Sequence, residues 1–309
     1  MAKKFISKTQ YTRGLQCVKS LWLYNYRKDL REEVSAGQQA VFDQGHEVGE
    51  WACKYYKGGV MLAQGRDDIA GALKETQELL AKGAKLLYEG TFQAERVLVR
   101  CDILRKVGTA WHLIEVKSST EPKDQHLDDI AIQKYVLEAA GLKVSKAFLM
   151  LIDTSYVKKG PIDPNKLFKL EDVTDRMEET EAGVPGNLKQ FFKALSEDSN
   201  EPAIKIGGHC SDPYPCDFSP YCWKDIPEYS IYNLPYLSAE IKDGLRRKGI
   251  LELKDIPKGI ELSAAAADRV QVAKTGRPII IPEAVKDFLE TLQYPLYHLD
   301  FETVLSSLI

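Results

Sequence analysis

The segment that decides the fold is residues 99–118, which read VRCDILRKVGTAWHLIEVKS. Two runs rich in β-branched and aliphatic residues are separated by Gly108-Thr109, a pair suited to a tight turn. A turn centred there places Asp102 directly opposite Glu115 on the neighbouring strand. Alternation of side chains along a strand then puts Lys117 on the same face as Glu115. The segment therefore predicts a hairpin with two carboxylates and a lysine on one face.

Facing carboxylates indicate a cation site. Asp102 and Glu115 would repel each other across the strands without a compensating positive charge. Mg²⁺ and Mn²⁺ fit, because they prefer hard oxygen ligands from carboxylates and substrate phosphate. A lysine beside such an ion can orient an attacking water and stabilise the charge that develops on a phosphorane. The alternative is a solvated hairpin face with an ordinary Glu–Lys ion pair, since Glu115-Val116-Lys117 alone is a short pattern.

The flanking sequence predicts a mixed α/β layer with antiparallel hairpins. Apolar positions recur at helical spacing before the hairpin, and β-rich runs with turn chemistry surround it. We predict helices at 8–26, 38–56, 67–82 and Asp124–Ala140, and strands at Leu86–Phe92, Arg96–Val107, Ala110–Ser118 and Val144–Ile152. We predict an acidic helical stretch at 174–202, a Gly/Pro/Cys loop at 207–223, small helices near 237–248, 261–274 and 282–292, and a strand beginning at Tyr294–Phe301.

The order of these motifs resembles a known nuclease family. Asp102, followed by Glu115-Val116-Lys117 at the end of a second strand and then a helix, resembles the core of the P-D-(D/E)-x-K nuclease superfamily. The segment Gln44–Gly49 (QGHEVG) resembles the helical histidine motif of the RecB-type branch, and Tyr88-Glu89-Gly90 resembles the strand with its accessory glutamate. The resemblance implies a restriction-endonuclease-like mixed sheet flanked by helices, followed by a small helical section.

The same resemblance implies roles for individual residues. His46, Asp102 and Glu115 would hold Mg²⁺ or Mn²⁺, assisted by the carbonyl of Val116, and Lys117 would be catalytic. Glu89 has two interpretations, an active-site residue or a polar strand residue.

The chain departs from the family pattern at two places. Cys101 stands where the family often has proline, and the branch's Q-x-x-x-Y motif is not present, because Gln133 and Tyr135 are two residues apart. At helical spacing the partners of Gln133 are Asp129 and Leu137. We expect Gln133 to face the site and to hold DNA near the scissile phosphate.

Cysteines indicate a second inorganic site. Cys210, Cys216 and Cys222 follow a C-x₅-C-x₅-C spacing, which favours metal ligation over free thiols. A subset of RecB-type nucleases holds a 4Fe-4S cluster with one cysteine from the first helix, and Cys17 in Gly14-Leu15-Gln16-Cys17 resembles that ligand. The alternative is Zn²⁺ bound by some of these cysteines and His209. Cys53 and Cys101 are assigned to packing.

The chain is predicted to have three parts. Residues 1–225 form the RecB-type nuclease domain with the cluster cysteines. Residues 226–290 form a small helical connector, which faintly resembles a helix-hairpin-helix unit around Lys248-Gly249-Ile250. Residues 291–309 resemble the first strand of a DnaQ-like, RNase H-fold exonuclease domain, with Asp300 and Glu302 on one face. We expect the rest of that domain in a longer chain.

Composition limits the function classes. The net charge is −3, yet residues 1–31 carry eight Lys/Arg against Asp29, with aromatic residues among them. That mixture suits a single-stranded DNA backbone with stacked bases, or equally a solvated basic helix face. No apolar run approaches the roughly 18–20 residues of a membrane span, and no signal segment is present, so a cytoplasmic location is expected.

The predicted function is that of a metal-dependent DNA nuclease, an exonuclease with a structural 4Fe-4S cluster. The alternatives are a catalytically inactive nucleic-acid-binding scaffold and a zinc-stabilised interaction module.

Overall fold

A computed structural model describes residues 5–63, 67–196 and 199–301. The chain folds as two units, one that reaches Ser219 and one that begins at Pro220. The strands are β1 Ile6–Ser7, β2 Val60–Met61, β3 Leu86–Ala94, β4 Val97–Val107, β5 Ala110–Val116, β6 Val144–Ile152 and β7 Phe168–Asp172. The α-helices are α1 Lys8–Gln16, α2 Val18–Tyr26, α3 Ala36–Cys53, α4 Ile69–Ala81, α5 Asp124–Ala139, α6 Pro164–Leu167, α7 Glu178–Ala194, α8 Ser219–Cys222, α9 Ala239–Arg247, α10 Ala264–Thr275 and α11 Pro282–Glu290.

The first unit is built on a mixed sheet that, within the described residues, has seven strands. The strand order is β2-β3-β4-β5-β6-β7, and β1 pairs with β4 off this path. β3, β4 and β5 form an antiparallel meander, β6 joins β5 in parallel through the crossover helix α5, and β7 is antiparallel to β6. The prediction of a restriction-endonuclease-like mixed sheet flanked by helices is confirmed.

Both faces of the sheet are covered, and this explains why its strands are so apolar. On one face Leu113 joins a core that includes Ile130 of α5 and Phe191 of α7. On the other face Ile114 packs with Val48 and other residues of α3. Consecutive residues of β5 therefore enter opposite cores, and the strand is buried along almost its whole length.

The predicted single helix over 8–26 is wrong. α1 ends at Gln16 and α2 begins at Val18, because Cys17 between them is extended, with φ −162° and ψ 113°. Apolar periodicity continues across this one residue, so the sequence pattern could not detect the break. The short strands β1 and β2 and the more polar β7 were also missed, since each is defined by pairing with a neighbour.

The second unit is helical and has its own core. Leu245 of α9 packs there with Ile231, Leu253 and Val270. After α9 the chain turns at Gly249, whose φ is 75°, and continues into a single 3₁₀ turn at Leu253–Asp255. The second helix of the suggested helix-hairpin-helix is thus shortened to one turn.

The predicted strand over Tyr294–Phe301 is wrong, because this stretch has no regular secondary structure and pairs with no described strand. Asp300 is therefore not on a strand, and Glu302 lies outside the described residues. Among the helices that the structure describes, none has the length and apolarity of a membrane span.

Gly14 allows α1 to approach α7 closely, which yields a stability prediction. A Cβ at Gly14 would lie 2.8 Å from ring carbons of Phe191, which is 1% exposed and has little room to move. We expect Gly14→Ala to lower the free energy of unfolding by about 1–2 kcal/mol, because overpacking outweighs the gain in helix propensity. Urea unfolding measures this change.

The matched control is Gly45→Ala in α3, where an added Cβ meets no atom within 4 Å. We expect this variant to gain about 0.5–1 kcal/mol from helix propensity. Equal stability of the two variants would contradict the close contact between Gly14 and Phe191.

Candidate active site

The hairpin register predicted from Gly108-Thr109 is confirmed. β4 and β5 pair from Val107↔Ala110 to Ile103↔Ile114, and Asp102 and Glu115 occupy the next position of that register. An oxygen of Asp102 (Oδ2) accepts a hydrogen bond of 2.7 Å from the main-chain N–H of Val116. The register thus brings Asp102, in the middle of β4, next to Glu115 near the end of β5.

Glu115 is the centre of the site and is only 2% exposed. Its Oε1 accepts from Lys117 Nζ at 3.0 Å and from Lys8 Nζ at 2.7 Å. Its Oε2 accepts from Gln133 Nε2 at 2.7 Å. Three separate elements, α1, the end of β5 and α5, therefore fix one buried carboxylate.

The two carboxylates differ in their affinity for a proton. Burial raises the pKa of Asp102 to about 7, the negative charge of Glu115 adds to this rise, and Lys8 opposes it. Burial would also raise the pKa of Glu115, but Lys117 and Lys8 together hold it well below its usual range. The site thus holds an ionised Glu115 beside an Asp102 whose carboxyl group is shifted towards its protonated form.

Lys117 is held as an ammonium. It forms a second, short ion pair with Asp129 of α5, in addition to its contact with Glu115. Burial alone would lower its pKa, but the charges of Glu115 and Asp129 raise the pKa above its usual range. A lysine in this state can donate hydrogen bonds and stabilise negative charge, but it cannot serve as a base.

Gln133 faces the site as expected, but its predicted contact with DNA is corrected. Its side chain is 0% exposed, and its amide nitrogen donates both to Glu115 and, at 2.9 Å, to the carbonyl of Asp129. A side chain without exposed surface cannot grip a strand directly. Its amide instead holds Oε2 of Glu115 from α5.

Glu89 on β3 adds a third carboxylate beside Asp102 on β4 and Glu115 on β5. The pairs Tyr88↔Ile103 and Gly90↔Cys101 put Glu89 beside Asp102 in the register of β3 and β4. Its φ is 59°, a left-handed conformation that is uncommon for a residue other than glycine inside a strand. Backbone strain of this kind clusters at functional sites. Its Oε2 lies 3.7 Å from Arg100 Nε.

His46 is exposed on α3 and does not join the carboxylates. Cys53 lies on the same face of α3, two turns and about 10 Å further along the helix axis. It is Cys53 that approaches the carboxylates of Glu89 and Asp102. Burial first, and then the charges of Glu89 and Asp102, raise the pKa of Cys53 to about 11. Within residues 5–63, 67–196 and 199–301, no three His, Cys, Asp or Glu side chains are grouped closely enough to hold a metal ion.

Sequence reasoning did not assign Lys8 or Asp129 to the site. Asp129 was identifiable only as the residue one helical turn before Gln133. Lys8 is one of several basic residues near the start of the chain, and no local pattern distinguishes it. Only the pairing of β1 with β4 brings it to Glu115.

Five of the basic residues expected to face a DNA strand form ion pairs within the protein. Arg13 and Arg31 both pair with Asp217, Lys19 pairs with Glu201, and Arg27 pairs with Asp29. Lys8 is paired with Glu115. Arg13 and Arg31 share a single carboxylate, and Lys3 and Lys4 lie outside the described residues. The basic surface for a DNA strand therefore stays a prediction.

The structure brings three of the four predicted cluster cysteines into one region. Cys216 N donates to the carbonyl of Cys210 at 2.9 Å, and Cys216 Sγ lies 3.5 Å from Ser20 Oγ. Burial is the largest cause of a raised pKa of Cys17, and the neighbouring Cys216 and Cys210 add to it. Cys222 ends α8 in the second unit.

The loop that carries Cys210 and Cys216 is bound to α1. Gln16 Nε2 donates to the carbonyls of His209 and Tyr214 at 2.8 and 2.7 Å. Arg13 forms a bidentate pair with Asp217 at 2.6 and 2.9 Å. These contacts hold the extended Cys17 next to the loop.

Comparisons with known proteins give only distant likenesses. No family model matches the chain, and no curated protein matches it either. Among solved structures it is similar to the crystal structure of SSO0001, with a TM-score of 0.37 and 13% identity, covering 72% of this chain and 87% of that one. It is also similar to an alkaline exonuclease (LHK-Exo) from Laribacter hongkongensis, with a TM-score of 0.32 and 10% identity, covering 62% of this chain and 91% of that one. These values are too low for either likeness to assign a function to this chain.

Proposed function

We propose that this chain is a metal-dependent nuclease that hydrolyses DNA phosphodiester bonds, acting as an exonuclease on single-stranded DNA. The observation that carries the proposal is the buried Glu115, which shares one oxygen between two lysines beside Asp102 on the next strand. A purely structural ion pair needs one cation and no second carboxylate at its side. The arrangement instead brings lysines, which can bind a phosphate group, next to carboxylates, which can bind its counterion.

The donor set fits a hard divalent cation. Asp102 and Glu115 offer carboxylate oxygens, and the carbonyl of Val116 adds a third oxygen, which matches the preference of Mg²⁺ and Mn²⁺. His46, which the resemblance implies as a further ligand, is exposed on α3 and is not grouped with these carboxylates among the described residues. When bound, such a cation supplies a water of lowered pKa and offsets the charge of the phosphate.

The protein's own residues would do the remaining work. Lys117, held between Glu115 and Asp129, would donate to the oxygen on which negative charge develops. Gln133 would keep Glu115 in one orientation. Glu89, on β3 beside Asp102, would add a third negative charge to those of Asp102 and Glu115.

The test is cleavage of end-labelled single-stranded DNA with Mn²⁺ or Mg²⁺. Wild-type protein is compared with Lys117→Met, Asp102→Asn and the control His298→Ala, whose side chain is exposed in the second unit. Cleavage by wild type and control, and its loss in both site variants, would support the proposal. A ladder that shortens from one end would identify an exonuclease. Binding without cleavage would favour the scaffold alternative.

We also propose that Cys17, Cys210 and Cys216 are ligands of a 4Fe-4S cluster, with Cys222 as the predicted fourth. Four thiolates are the usual ligands of such a cluster. The extended Cys17 beside the loop supports this assignment. Zn²⁺ is the alternative, and the 3.8 Å approach of His209 Nε2 to Cys210 Sγ is its supporting contact.

Anaerobic purification distinguishes the two metals. We expect visible charge-transfer absorbance with about four iron and four sulfide per chain, lost in Cys17→Ser and kept in Cys53→Ser. Stoichiometric zinc without iron would contradict the cluster and support the alternative.

A further inference from the structure

Lys8 reaches the carboxylates because of where β1 lies. β5 pairs with residues 103–107 of β4, and β1 pairs with Val97 and Leu98 near the other end of the same strand. Both β1 and the end of β5 therefore approach the middle of β4, where Asp102 is located. Lys8 is the first residue after β1.

The backbone of Lys8 is fixed on both sides. Ile6 is fully buried, and its N–H donates to the carbonyl of Arg96 at 3.0 Å. Ser7 caps α1 through a capping box with Gln10. The lysine thus leaves a rigid junction of strand and helix, and its side chain is 22% exposed.

The position is unfavourable for a lysine considered alone. The start of a helix carries partial positive charge, which disfavours a cation there. Lys117 brings a second ammonium to the same oxygen, Glu115 Oε1. Burial opposes the charge as well, although Glu115, Asp102 and Asp129 together raise the pKa of Lys8 above its usual range. A cation that is kept against these costs has a specific partner, and that partner is Glu115.

We propose that Lys8 is a second lysine of the active site, a positioning residue that holds Glu115 Oε1 from the N-terminal helix while Lys117 and Gln133 hold it from the other elements. The proposal rests on the proposed nuclease function. Lys117 retains Asp129 if its contact with Glu115 changes, whereas the ion pair of Lys8 is with Glu115. Lys8 therefore acts through Glu115, together with Gln133, and Lys117 remains the group that acts on substrate.

The test separates positioning from simple stabilisation. Lys8→Met removes the charge, Lys8→Arg restores it, and Lys134→Met is the matched control. Lys134 forms a comparably buried ion pair with Glu181 at 2.7 Å, away from the carboxylates, and its side chain is 16% exposed. We expect Lys8→Met to lower kcat about 10- to 100-fold with KM nearly unchanged, because a displaced catalytic group costs rate more than binding. Lys8→Arg should recover part of kcat, and Lys134→Met should keep kcat within twofold.

A double-mutant cycle provides a readout that does not depend on cleavage. Unfolding equilibrium constants are measured for Lys8→Met, Glu115→Gln and the double variant, and we expect a coupling of about tenfold between the two positions. Coupling below twofold, or a kcat of Lys8→Met within twofold of wild type, would overturn the role of Lys8 and leave the nuclease function standing. If wild type cleaves nothing, the nuclease function fails, and a surviving coupling would show that the contact is structural only.

Discussion

Replacing Lys117 with methionine is expected to lower DNA cleavage by about 10²–10³-fold, the usual effect of removing one preorganised donor from a developing negative charge. Methionine keeps most of the side-chain volume and removes the ammonium. Asp129 and Glu115 then lose their shared cation, and only Glu115 keeps an ion pair, with Lys8. We expect the loss in kcat, with a smaller change in KM.

Single-turnover cleavage of end-labelled DNA measures this effect, with Lys134→Met as the control for loss of a part-buried ion pair. Far-ultraviolet circular dichroism confirms that each variant is folded. Cleavage by Lys117→Met within threefold of wild type would remove Lys117 from the catalytic machinery.

Asp102→Asn is expected to stabilise the metal-free protein at pH 8 by about 2–4 kcal/mol, while it abolishes cleavage. Asparagine can still accept the hydrogen bond from Val116 N that Asp102 accepts. It removes the negative charge that faces Glu115. A site kept for catalysis commonly costs stability in this way.

The direction of the pH dependence of this stability difference follows from the raised pKa of Asp102. The folded protein favours the neutral carboxyl of Asp102. Its contribution to stability is therefore complete below pH 3.8, the pKa in the unfolded chain, and is lost as pH rises through about 7, the pKa in the folded protein. Glu115 contributes nothing to this change between pH 5 and 8, because its lowered pKa keeps it ionised throughout that range. The difference between the variant and wild type should therefore grow from pH 5 to pH 8.

Urea unfolding in chelator at several pH values measures the difference. Adding Mn²⁺ at pH 8 should stabilise wild type more than Asp102→Asn, since only wild type has both carboxylates. A difference between the two proteins that stays constant from pH 5 to 8 would show that Asp102 is not a buried acid of raised pKa.

The sequence by itself determined the elements whose signals are local. A turn at Gly108-Thr109 between two β-rich runs fixes the register of the hairpin, because the side-chain period of a strand is two. Once the register is set, Asp102, Glu115 and Lys117 must lie together. The strand Val144–Ile152 and the helix that begins at Asp124 also followed from periodicity and agree with the structure.

Only the tertiary structure decided which distant residues complete the site. Lys8 is more than a hundred positions from Glu115, and the short strand that delivers it has no pattern of its own, since a two-residue strand is defined by its partner. The extended backbone at Cys17 and the ion pair of Arg13 likewise depend on contacts with Cys216 and Asp217, far along the chain. The tertiary structure also sets the pKa values of the two carboxylates apart. Burial raises the pKa of both, but the lysines lower mainly the pKa of Glu115.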